Sequence, residues 1–591
     1  MALFSFDTSH VLGNVREVDT RKVSVTVKND NYLKRARVGN LVAMKLSGAT
    51  EVWLIGIIDK IIKSVALTDN DAINEINEDV VDEIIDNASD DTEKDTILSG
   101  APIINSVKLT LVGTTRWHAN EKKVVFSRSL VHVPEIASMC YVLKDKQLEN
   151  FMYVLTDQGN TNNSFEIGKY TIDEKATAFL DGNKFFQRHA ALLGSTGSGK
   201  SWAVASILER AAKLPSSNLV VFDLHGEYSK LSYARHLHIP GPDELGKASE
   251  ELLYLPHWLL NAEEMQAMFI DRSEFSAHNQ VMAFQDSVIE QKKATLTKLN
   301  KSDILAAFTL DSPIPFSIDE VIKTLNDHNE EMEQGARGLK QGKFYGQFSR
   351  LLTRIRSKLN DKRYGFLFQS PEIENQYESL AKMALKLMNY NENGAQIKVI
   401  DFSEVPSDVL PIIVGLVARI IYQIQFWTNH EKRRPIAFVC DEAHLYLPRK
   451  EGQNPVETRA IEAFEKIAKE GRKYGVALLI VSQRPSDVST TVLSQCNNVV
   501  ALRLTNSDDQ TAVKKLMPES MESLLDILPI MDIGEALVVG DAVLLPSRIR
   551  INPPTEKPQS ATINFWTKWQ ETPDIPDFIK AVENMRRQGR S

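Results

Sequence analysis

The chain has little cysteine. Three cysteines occur in 591 residues, at positions 140, 440 and 496, and they are far apart. Isolated cysteines argue against a disulfide framework and against a zinc site, and they suit a reducing compartment. The first residues, Met1 to Asp7, lack a basic segment and an apolar signal core, so we expect no export signal there. These absences predict a cytoplasmic protein.

Long apolar runs are also scarce. The most apolar stretch, from Pro411 to Trp427, is interrupted by Arg419, Gln423 and Gln425. We expect it to be too short and too polar to span a bilayer, so no membrane partner is predicted. A hydrophobic content of 43% and a charged content of 25% are typical of a globular protein. The length leaves room for about three or four domain-sized units.

Acidic charge is concentrated in one segment. The formal net charge is −9, but residues 69–95 hold twelve acidic residues and a single basic one, Lys94. This acidic segment carries −11, which leaves the remaining chain near +2. Such a run is typical of a solvated or disordered loop, and the alternative is a segment that binds a partner or excludes nucleic acid. The acidic balance neither supports nor excludes DNA binding.

A glycine-rich motif predicts a phosphate-binding loop. The apolar run that ends at Leu193 leads directly into Gly194, Ser195, Thr196, Gly197, Ser198, Gly199, Lys200 and Ser201. Glycine permits a tight backbone whose N–H groups point at phosphate oxygens, and the following helix adds the positive end of its dipole. We expect these residues to bind ATP or GTP, with Lys200 on the β- and γ-phosphates and Ser201 on Mg²⁺. A glycine-rich turn between two core elements is the alternative.

A second motif places two adjacent carboxylates after a buried-strand pattern. Residues 436–440 are apolar, and Asp441, Glu442, Ala443 and His444 follow them. In a phosphate-loop enzyme, an acid at the end of a neighbouring strand holds Mg²⁺ or its water, and the next acid can take a proton from the attacking water. We therefore assign Asp441 to the metal and Glu442 to the general base. His444 is better explained as a structural residue.

The overall pattern predicts an α/β protein with three parts. Residues 1–153 contain short alternating runs typical of a small β-barrel, from which the acidic segment projects. From 165 to 549, apolar runs that end in polar residues alternate with helical stretches, which predicts an ATPase core with a mainly parallel sheet covered on both faces. Residues from about 243 to 393 have helical spacing and form a predicted helical insertion. Residues 550–591 form a C-terminal tail.

Further candidate site residues follow predicted strands or helices. Asp223 and Glu227 can orient Mg²⁺-bound water, or they can close a turn. Gln483 can hydrogen-bond the γ-phosphate or the attacking water, and the alternative is a glutamine satisfied in the turn before Pro485. Arg472 follows a predicted helix and can reach the γ-phosphate of a neighbouring subunit as an arginine finger. A surface ion pair is the alternative for Arg472.

Two basic segments are candidates for DNA contact. Residues 448–454 have the flexible and partly basic composition of a loop that tracks phosphates in a channel, although many exposed loops share it. A denser cluster lies in a helical stretch and is better explained as a solvated helix face; its members are Arg354, Arg356, Lys358 and Arg363.

Five motifs, taken in order, resemble the HerA family of hexameric DNA translocases, which are relatives of FtsK. Besides the phosphate loop and the carboxylate pair, they are residues 221–228, 470–475 and 482–485. The N-terminal β-rich part is similar to the HAS-like barrel that precedes the ATPase core of that family, and the resemblance implies that this core is RecA-like. The acidic segment and the details of the helical insertion match the family pattern least well.

The resemblance implies a function. We expect an ATP- and Mg²⁺-dependent motor that works as a homohexamer and moves double-stranded DNA through a central channel. It also implies an effector protein, a nuclease or a sirtuin-like NADase, docked on the barrel face, with roles in antiphage defence or DNA end processing. The alternative is an ATPase scaffold ring that assembles and regulates an effector with little translocation. A secretion or conjugation motor is disfavoured because it needs a membrane anchor or a docking partner.

Overall fold

A computed structural model describes nine stretches of the chain, and they divide into two compact units. The described residues are 3–46, 52–65, 103–118, 122–335, 338–388, 397–449, 455–559, 565–571 and 578–587. The first unit comprises Met1–Lys184 with Arg503–Asn552, and the second comprises Phe185–Leu502 with Pro553–Ser591. The predicted boundaries at 153, 165 and 549 stay a prediction. The acidic segment 69–95 and residues 450–454 lie outside the described residues.

Strands predominate up to Asp181, and helices are interspersed with strands after it. The strands are β1 (Val11–Asp19), β2 (Lys22–Val27), β3 (Leu41–Lys45), β4 (Trp53–Val65), β5 (Ile103–His118), β6 (Lys123–Ser127), β7 (Met139–Val142), β8 (Ser164–Tyr170), β9 (Asp173–Asp181), β10 (Ala190–Leu193), β11 (Leu219–Asp223), β12 (Ala234–His238), β13 (Met332–Gly335), β14 (Gly338–Gln341), β15 (Ile397–Asp401), β16 (Ile436–Cys440), β17 (Val476–Ser482), β18 (Asn498–Leu502), β19 (Glu535–Gly540) and β20 (Ser547–Ile551). The α-helices are α1 (Asp30–Leu33), α2 (Asp145–Gly159), α3 (Gly182–Gln187), α4 (Lys200–Ala212), α5 (Ala262–Phe269), α6 (Ala277–Lys298), α7 (Ser302–Ala307), α8 (Ile318–Glu330), α9 (Ser349–Asn360), α10 (Gly365–Phe368), α11 (Ser379–Met388), α12 (Leu410–Trp427), α13 (Pro455–Glu470), α14 (Thr490–Ser494), α15 (Ser507–Lys514), α16 (Phe565–Gln570) and α17 (Phe578–Arg587). Short 3₁₀ helices lie at His257–Leu259, Lys362–Tyr364, Glu372–Asn375, His430–Lys432, Ala443–Leu445, Gly471–Tyr474, Pro485–Asp487 and Glu519–Ile530.

The first unit contains the predicted barrel. Its strands pair in the order β2-β1-β7-β3-β4-β5-β6, and an additional antiparallel pairing of β2 with β5 closes the ring. Alternate residues point inward, so Leu12, Val25, Val42 and Leu54 are fully buried in one cluster. Closure satisfies the strand edges that an open sheet would expose. The β-barrel expected from the sequence is confirmed.

A second, antiparallel group of strands completes the first unit. These strands pair in the order β19-β20-β8-β9. The buried carboxylate of Glu535 accepts hydrogen bonds from Arg548 and Arg550 on the neighbouring strand. Glu535 has a pKa below the usual value: burial opposes this, but the two guanidinium groups and the Asp532 backbone N–H outweigh it. This charge pairing fixes the register of β19 against β20.

The second unit is built on a parallel sheet. Its strands lie in the order β12-β15-β11-β16-β17-β10-β18, and every neighbouring pair is parallel. All residues of β10, β11, β16, β17 and β18 are buried, as expected for a parallel sheet covered on both faces. The mainly parallel core is confirmed. Because the strands are parallel, the residues that follow them gather at one edge of the sheet.

The stretch between β12 and β15 is mostly helical, which confirms the predicted insertion. It contains α5 to α11 and one hairpin, β13 with β14. Lys292 of α6 is buried and donates to the carbonyls of Leu310 and Ser312 at 2.7 and 2.8 Å. Burial lowers the pKa of this ammonium to about 8. These two hydrogen bonds tie α6 to the loop that precedes α8.

One helix in the described part of the chain is long and apolar enough to cross a membrane. Helix α12 has 18 residues and a mean hydropathy of 1.5. By length and composition alone, the expectation that this stretch is too short and too polar to span a bilayer was therefore wrong. The helix is 67% buried inside the protein, however, and Arg419 pairs with the buried Glu264 of α5 at 2.7 Å. A helix that is mostly buried and whose charged residue pairs with a buried partner has the properties of a core helix.

Candidate active site

The predicted phosphate loop connects β10 to α4, and its three glycines are each required by geometry. A Cβ on Gly194 would lie 2.6 Å from Ser198 Oγ and 2.8 Å from Leu502 Cβ. Gly197 and Gly199 adopt φ values of 72° and 103°, which L side chains rarely adopt. The Gly194 N–H donates to the Ser482 carbonyl at 3.2 Å, which fixes the start of the loop against β17. The loop is therefore held in one shape.

Lys200 lies inside the loop and faces a cluster of carboxylates. Its ammonium is 3.4 Å from the Ser195 carbonyl, and the residue is only 9% exposed. Burial lowers its pKa, whereas the charges of Glu442, Asp441 and Glu227 act in the opposite direction. Among the described residues, the buried Ser198 Oγ has no hydrogen-bond partner. A buried ammonium and an unpartnered hydroxyl fit a loop shaped for an anion.

Asp441 follows β16 and is buried at the same edge of the sheet. Burial raises its pKa well above the usual value, and repulsion from Glu442, Glu227 and Asp223 adds to this. Its Oδ1 accepts the Glu442 N–H at 3.0 Å. Several carboxylates around a single ammonium leave an excess of negative charge, so a divalent cation with oxygen ligands fits here. The assignment of Mg²⁺ to Asp441 and Ser201 stays a prediction.

Glu442 has the geometry expected of a positioned base. Its backbone is left-handed, with φ 45° and ψ 44°, which is strained for a residue with a side chain. Its Oε2 is buried and has no hydrogen-bond partner among the described residues, although His444 Nδ1 lies 3.4 Å away. Burial raises the Glu442 pKa, and Lys200 acts in the opposite direction. A buried carboxylate oxygen that accepts no hydrogen bond beside the phosphate loop can accept a proton from water.

Asp223 closes a turn in the structure. Its Oδ1 accepts the N–H groups of His225 and Glu227 at 3.2 and 3.1 Å, and its Oδ2 accepts that of Tyr228 at 2.9 Å. Burial raises the Asp223 pKa despite these bonds, and the charge of Asp401 contributes. The turn directs Glu227 toward Lys200 and Asp441, whose pKa values it influences. The metal roles of Asp223 and Glu227 stay predictions.

Gln483 and Thr196, which follow the neighbouring strands β17 and β10, are joined by a hydrogen bond. The Thr196 hydroxyl donates to Gln483 Oε1 at 2.5 Å, which links the phosphate loop to the residue that follows β17. The next residue upstream, Ser482, has its Oγ 3.3 Å from His444 Nδ1. The sequence pattern identified both Gln483 and Thr196 but not their contact. This hydrogen bond ties the phosphate loop to the end of β17.

Arg472 lies far from this cluster. It belongs to the 3₁₀ turn Gly471–Tyr474 before β17, whereas Gln483 follows β17, and its side chain is exposed. Seven strand residues rise about 3.3 Å each, so roughly 20 Å separates Arg472 from the phosphate loop of its own chain. The structure does not bring Arg472 to the other predicted residues. Asp401, which is not among the predicted site residues, also ends a strand, β15, and pairs in register with Asp223.

The candidate DNA-contact residues of the helical insertion are mostly paired. Arg354 bonds Glu274 at 2.6 Å, Lys358 lies 3.1 Å from Asp408, and Arg363 lies 2.7 Å from Asp361. These contacts hold three of the four cluster members in ion pairs within the chain, and the solvated-face interpretation stays a prediction. In the other candidate segment, Pro448 and Arg449 are described, and the Arg449 N–H donates to the Asp487 carbonyl at 2.8 Å.

The fold and the site define a phosphate-loop ATPase with a RecA-like core. Residues 165–421 match the family model for the central domain of the helicase HerA, and residues 417–554 match the HerA-like C-terminal model. The chain therefore belongs to the HerA family, and it is an ATP-hydrolysing enzyme of the helicase and translocase class.

Several curated relatives and a solved structure are similar to this chain. A probable helicase of Methanocaldococcus jannaschii is 23% identical over 71% of this chain and 72% of its own. The DNA double-strand break repair helicase HerA of Pyrococcus furiosus is 27% identical over 66% of this chain and 70% of its own. VirB4 of Thermoanaerobacter pseudethanolicus has a TM-score of 0.45 at 18% identity, covering 66% of this chain and 97% of that one.

Proposed function

We propose that the protein is an ATP-driven DNA translocase that works as a homohexameric ring with its ATP sites at subunit interfaces. The observation that carries the catalytic part is the buried Oε2 of Glu442, which accepts no hydrogen bond among the described residues and lies beside the phosphate loop and Lys200. DNA as the substrate is supported by relatives named as DNA double-strand break repair helicases, such as that of Pyrococcus furiosus.

The residues divide the work of hydrolysis. Backbone N–H groups of the loop after Gly194 hold the phosphates of ATP, and Lys200 neutralises the β- and γ-phosphates. Mg²⁺, held by Ser201 and Asp441, would screen the charge of the phosphates. Glu442 accepts a proton from the attacking water, and Gln483 orients that water and transmits loss of the γ-phosphate through its bond to Thr196.

Assembly into a ring is supported by the position of Arg472. About 20 Å of β17 separates it from the site of its own chain, so it can stabilise charge on a γ-phosphate only if that nucleotide belongs to a neighbour. A ring in which each subunit's arginine reaches the next subunit's nucleotide couples hydrolysis to relative movement of subunits. That movement would draw duplex DNA through the channel by contacts to phosphates.

Docking of an effector on the barrel unit is the remaining part of the proposal. The segment after β6 exposes three apolar side chains, Val131, Val133 and Ile136, at 75%, 47% and 62%. Exposed apolar side chains close in sequence are typical of interaction surfaces. A nuclease or a sirtuin-like NADase docked there would supply chemistry for DNA end processing or antiphage defence in the cytoplasm. If Val131→Asp with Ile136→Asp still co-purifies the partner as well as a Leu339→Asp control, docking lies elsewhere.

Two substitutions test the catalytic assignment. Lys200→Ala should weaken nucleotide binding because it removes the cation that faces the β- and γ-phosphates. Glu442→Gln preserves shape and should bind ATP while turnover stops, measured as phosphate release. Near-normal hydrolysis by Glu442→Gln would refute the general-base role.

The alternative function is a scaffold ring whose ATPase acts as a switch for an effector with little translocation. The Thr196–Gln483 contact is compatible with it, because a switch also needs to report the state of the γ-phosphate. The two functions differ in whether hydrolysis is coupled to movement along DNA.

A further inference from the structure

After β20, the chain returns to the ATP site. Residues 553–559, which we call the C-terminal strap, lie on the second unit with Pro554 and Pro558 buried. Thr555 donates from its N–H and its hydroxyl to the Glu209 carboxylate of α4, at 2.6 and 2.8 Å. The Gln559 N–H donates to the Glu227 carbonyl at 2.7 Å. The strap is thus fixed to the helix and to the loop that form two sides of the site.

A second anchor lies between these two. The Glu556 carboxylate accepts hydrogen bonds from both the N–H and the hydroxyl of Ser232. The residue that follows, Lys557, is exposed and places its ammonium over the ring of Trp202, 5.4 Å from the centroid. The strap therefore holds a cation against one aromatic side chain of α4.

Trp202 occupies a specific place relative to the phosphates. It comes directly after Ser201, in the first turn of α4, and it keeps 37% of its surface exposed. Ala203 makes the first bond of the helix, to the Gly199 carbonyl at 3.0 Å, so the N–H groups of residues 200–202 point out of the helix end. Lys200 reaches the β- and γ-phosphates, and the phosphate nearest the nucleoside lies farther along this end. Trp202, in the first turn, gives this end of the helix a partly exposed aromatic side chain.

We infer that Trp202 is the platform on which the nucleobase of ATP stacks, and that the C-terminal strap positions the indole through Lys557. A flat indole beside the nucleoside end of the phosphate loop offers a purine a face of matching size, and stacking of this kind contributes substantially to binding. Lys557 acts as a positioning residue, since a cation over the ring restricts the orientation of the indole. The inference rests on the ATP site of the proposed function and is independent of DNA translocation.

The test compares a nucleotide with the same phosphate chain lacking a base. Binding of the ATP analogue AMPPNP and of inorganic tripolyphosphate is measured by calorimetry on the full-length protein, without DNA. Trp202→Ala should weaken AMPPNP binding about tenfold, the scale of one lost stacking contact, and leave tripolyphosphate binding unchanged. Trp202→Phe keeps an aromatic face and should restore most of the affinity.

The strap is tested in the same assay. Lys557→Ala should weaken AMPPNP binding a few-fold, Lys557→Arg should restore it because a guanidinium also stacks on an indole, and neither should alter tripolyphosphate binding. The inference is wrong if Trp202→Ala leaves AMPPNP binding unchanged, or if it weakens both ligands equally, since the latter means damage to the phosphate loop. If Lys557→Ala weakens tripolyphosphate as much as AMPPNP, Lys557 binds phosphate and the positioning role is refuted. If the variants show the expected AMPPNP and tripolyphosphate binding but the wild-type protein does not move DNA, only the proposed translocation is refuted.

Discussion

Replacing Arg472 by alanine separates a shared active site from one confined to a single subunit. Arg472 lies about 20 Å from the phosphate loop of its own chain, because β17 runs between them. At that distance in water, two unit charges interact by about 0.2 kcal/mol, which changes a rate less than twofold. An arginine that touches the transferred phosphoryl group contributes about 10³-fold or more. The two positions therefore predict results that differ by orders of magnitude.

The assay measures steady-state ATP hydrolysis together with AMPPNP binding. Arg472→Ala should bind nucleotide normally, since the loop contacts are intact, and should lose about 10³-fold in turnover. Lys473→Ala is the matched control, because it removes an exposed positive charge from the same turn and should retain activity. A loss of less than about twofold in Arg472→Ala would refute the finger.

Mixed rings sharpen the result. A Glu442→Gln subunit keeps its finger, and an Arg472→Ala subunit keeps its base, so some interfaces in a mixed ring contain both. Mixing the two inactive proteins should restore part of the activity. If verified mixed hexamers hydrolyse no faster than either parent, while mixtures with wild type show graded activity, Arg472 acts within its own subunit or only in folding.

Two further predictions concern the sensor and a buried histidine. Gln483→Ala should keep AMPPNP affinity and lower turnover about a hundredfold, the scale of one lost transition-state donor. Thr196→Val removes only the 2.5 Å hydrogen bond to Gln483 and should lower turnover less. Equal losses of turnover in the two variants would mean that Gln483 acts only through this hydrogen bond. His257 bonds the Phe316 carbonyl at 3.0 Å, and burial lowers its pKa from 6.5 to about 4. Asp319 opposes this shift and Lys292 adds to it. Between those two pH values the unfolded chain binds a proton at His257 that the folded chain does not. The contribution of His257 to the free energy of unfolding is therefore fully present above pH 6.5, and it falls by about 3 kcal/mol as the pH is lowered toward 4. In His257→Gln, the midpoint of urea unfolding should depend less on pH between pH 7 and pH 5 than in the wild type. An unchanged pH dependence of this midpoint would contradict the assignment.

The parts of the site that could be predicted from sequence are contiguous in the chain. Residues 194–201 and the pair Asp441 and Glu442 each follow a buried strand, so the local pattern contains both the chemistry and its position. The parallel core and the barrel followed from apolar periodicity in the same way. Prediction was weaker where one pattern fits two environments. Helix α12 passes a length and composition test for spanning a membrane, and its pairing with Glu264 shows a core position instead.

Contacts between distant parts of the chain could not be predicted. Thr196 and Gln483 are 287 residues apart, and no local pattern indicates that their side chains meet. The C-terminal strap is a similar case, because Thr555 bonds Glu209 across 346 residues from a segment predicted only as a tail. The left-handed backbone of Glu442 was also missed, since that conformation is imposed by the packed turn rather than by the residue type.

The most direct test of the central claim measures ATP hydrolysis and movement on DNA together. Phosphate release is followed with and without duplex DNA, and displacement of streptavidin from a biotinylated duplex end is followed in the same reactions, with Glu442→Gln as the inactive control. An ATP-driven translocase should hydrolyse ATP faster with duplex DNA and clear the streptavidin, whereas Glu442→Gln should do neither. Hydrolysis that is unaffected by DNA and leaves the streptavidin in place would contradict translocation and favour the scaffold ring.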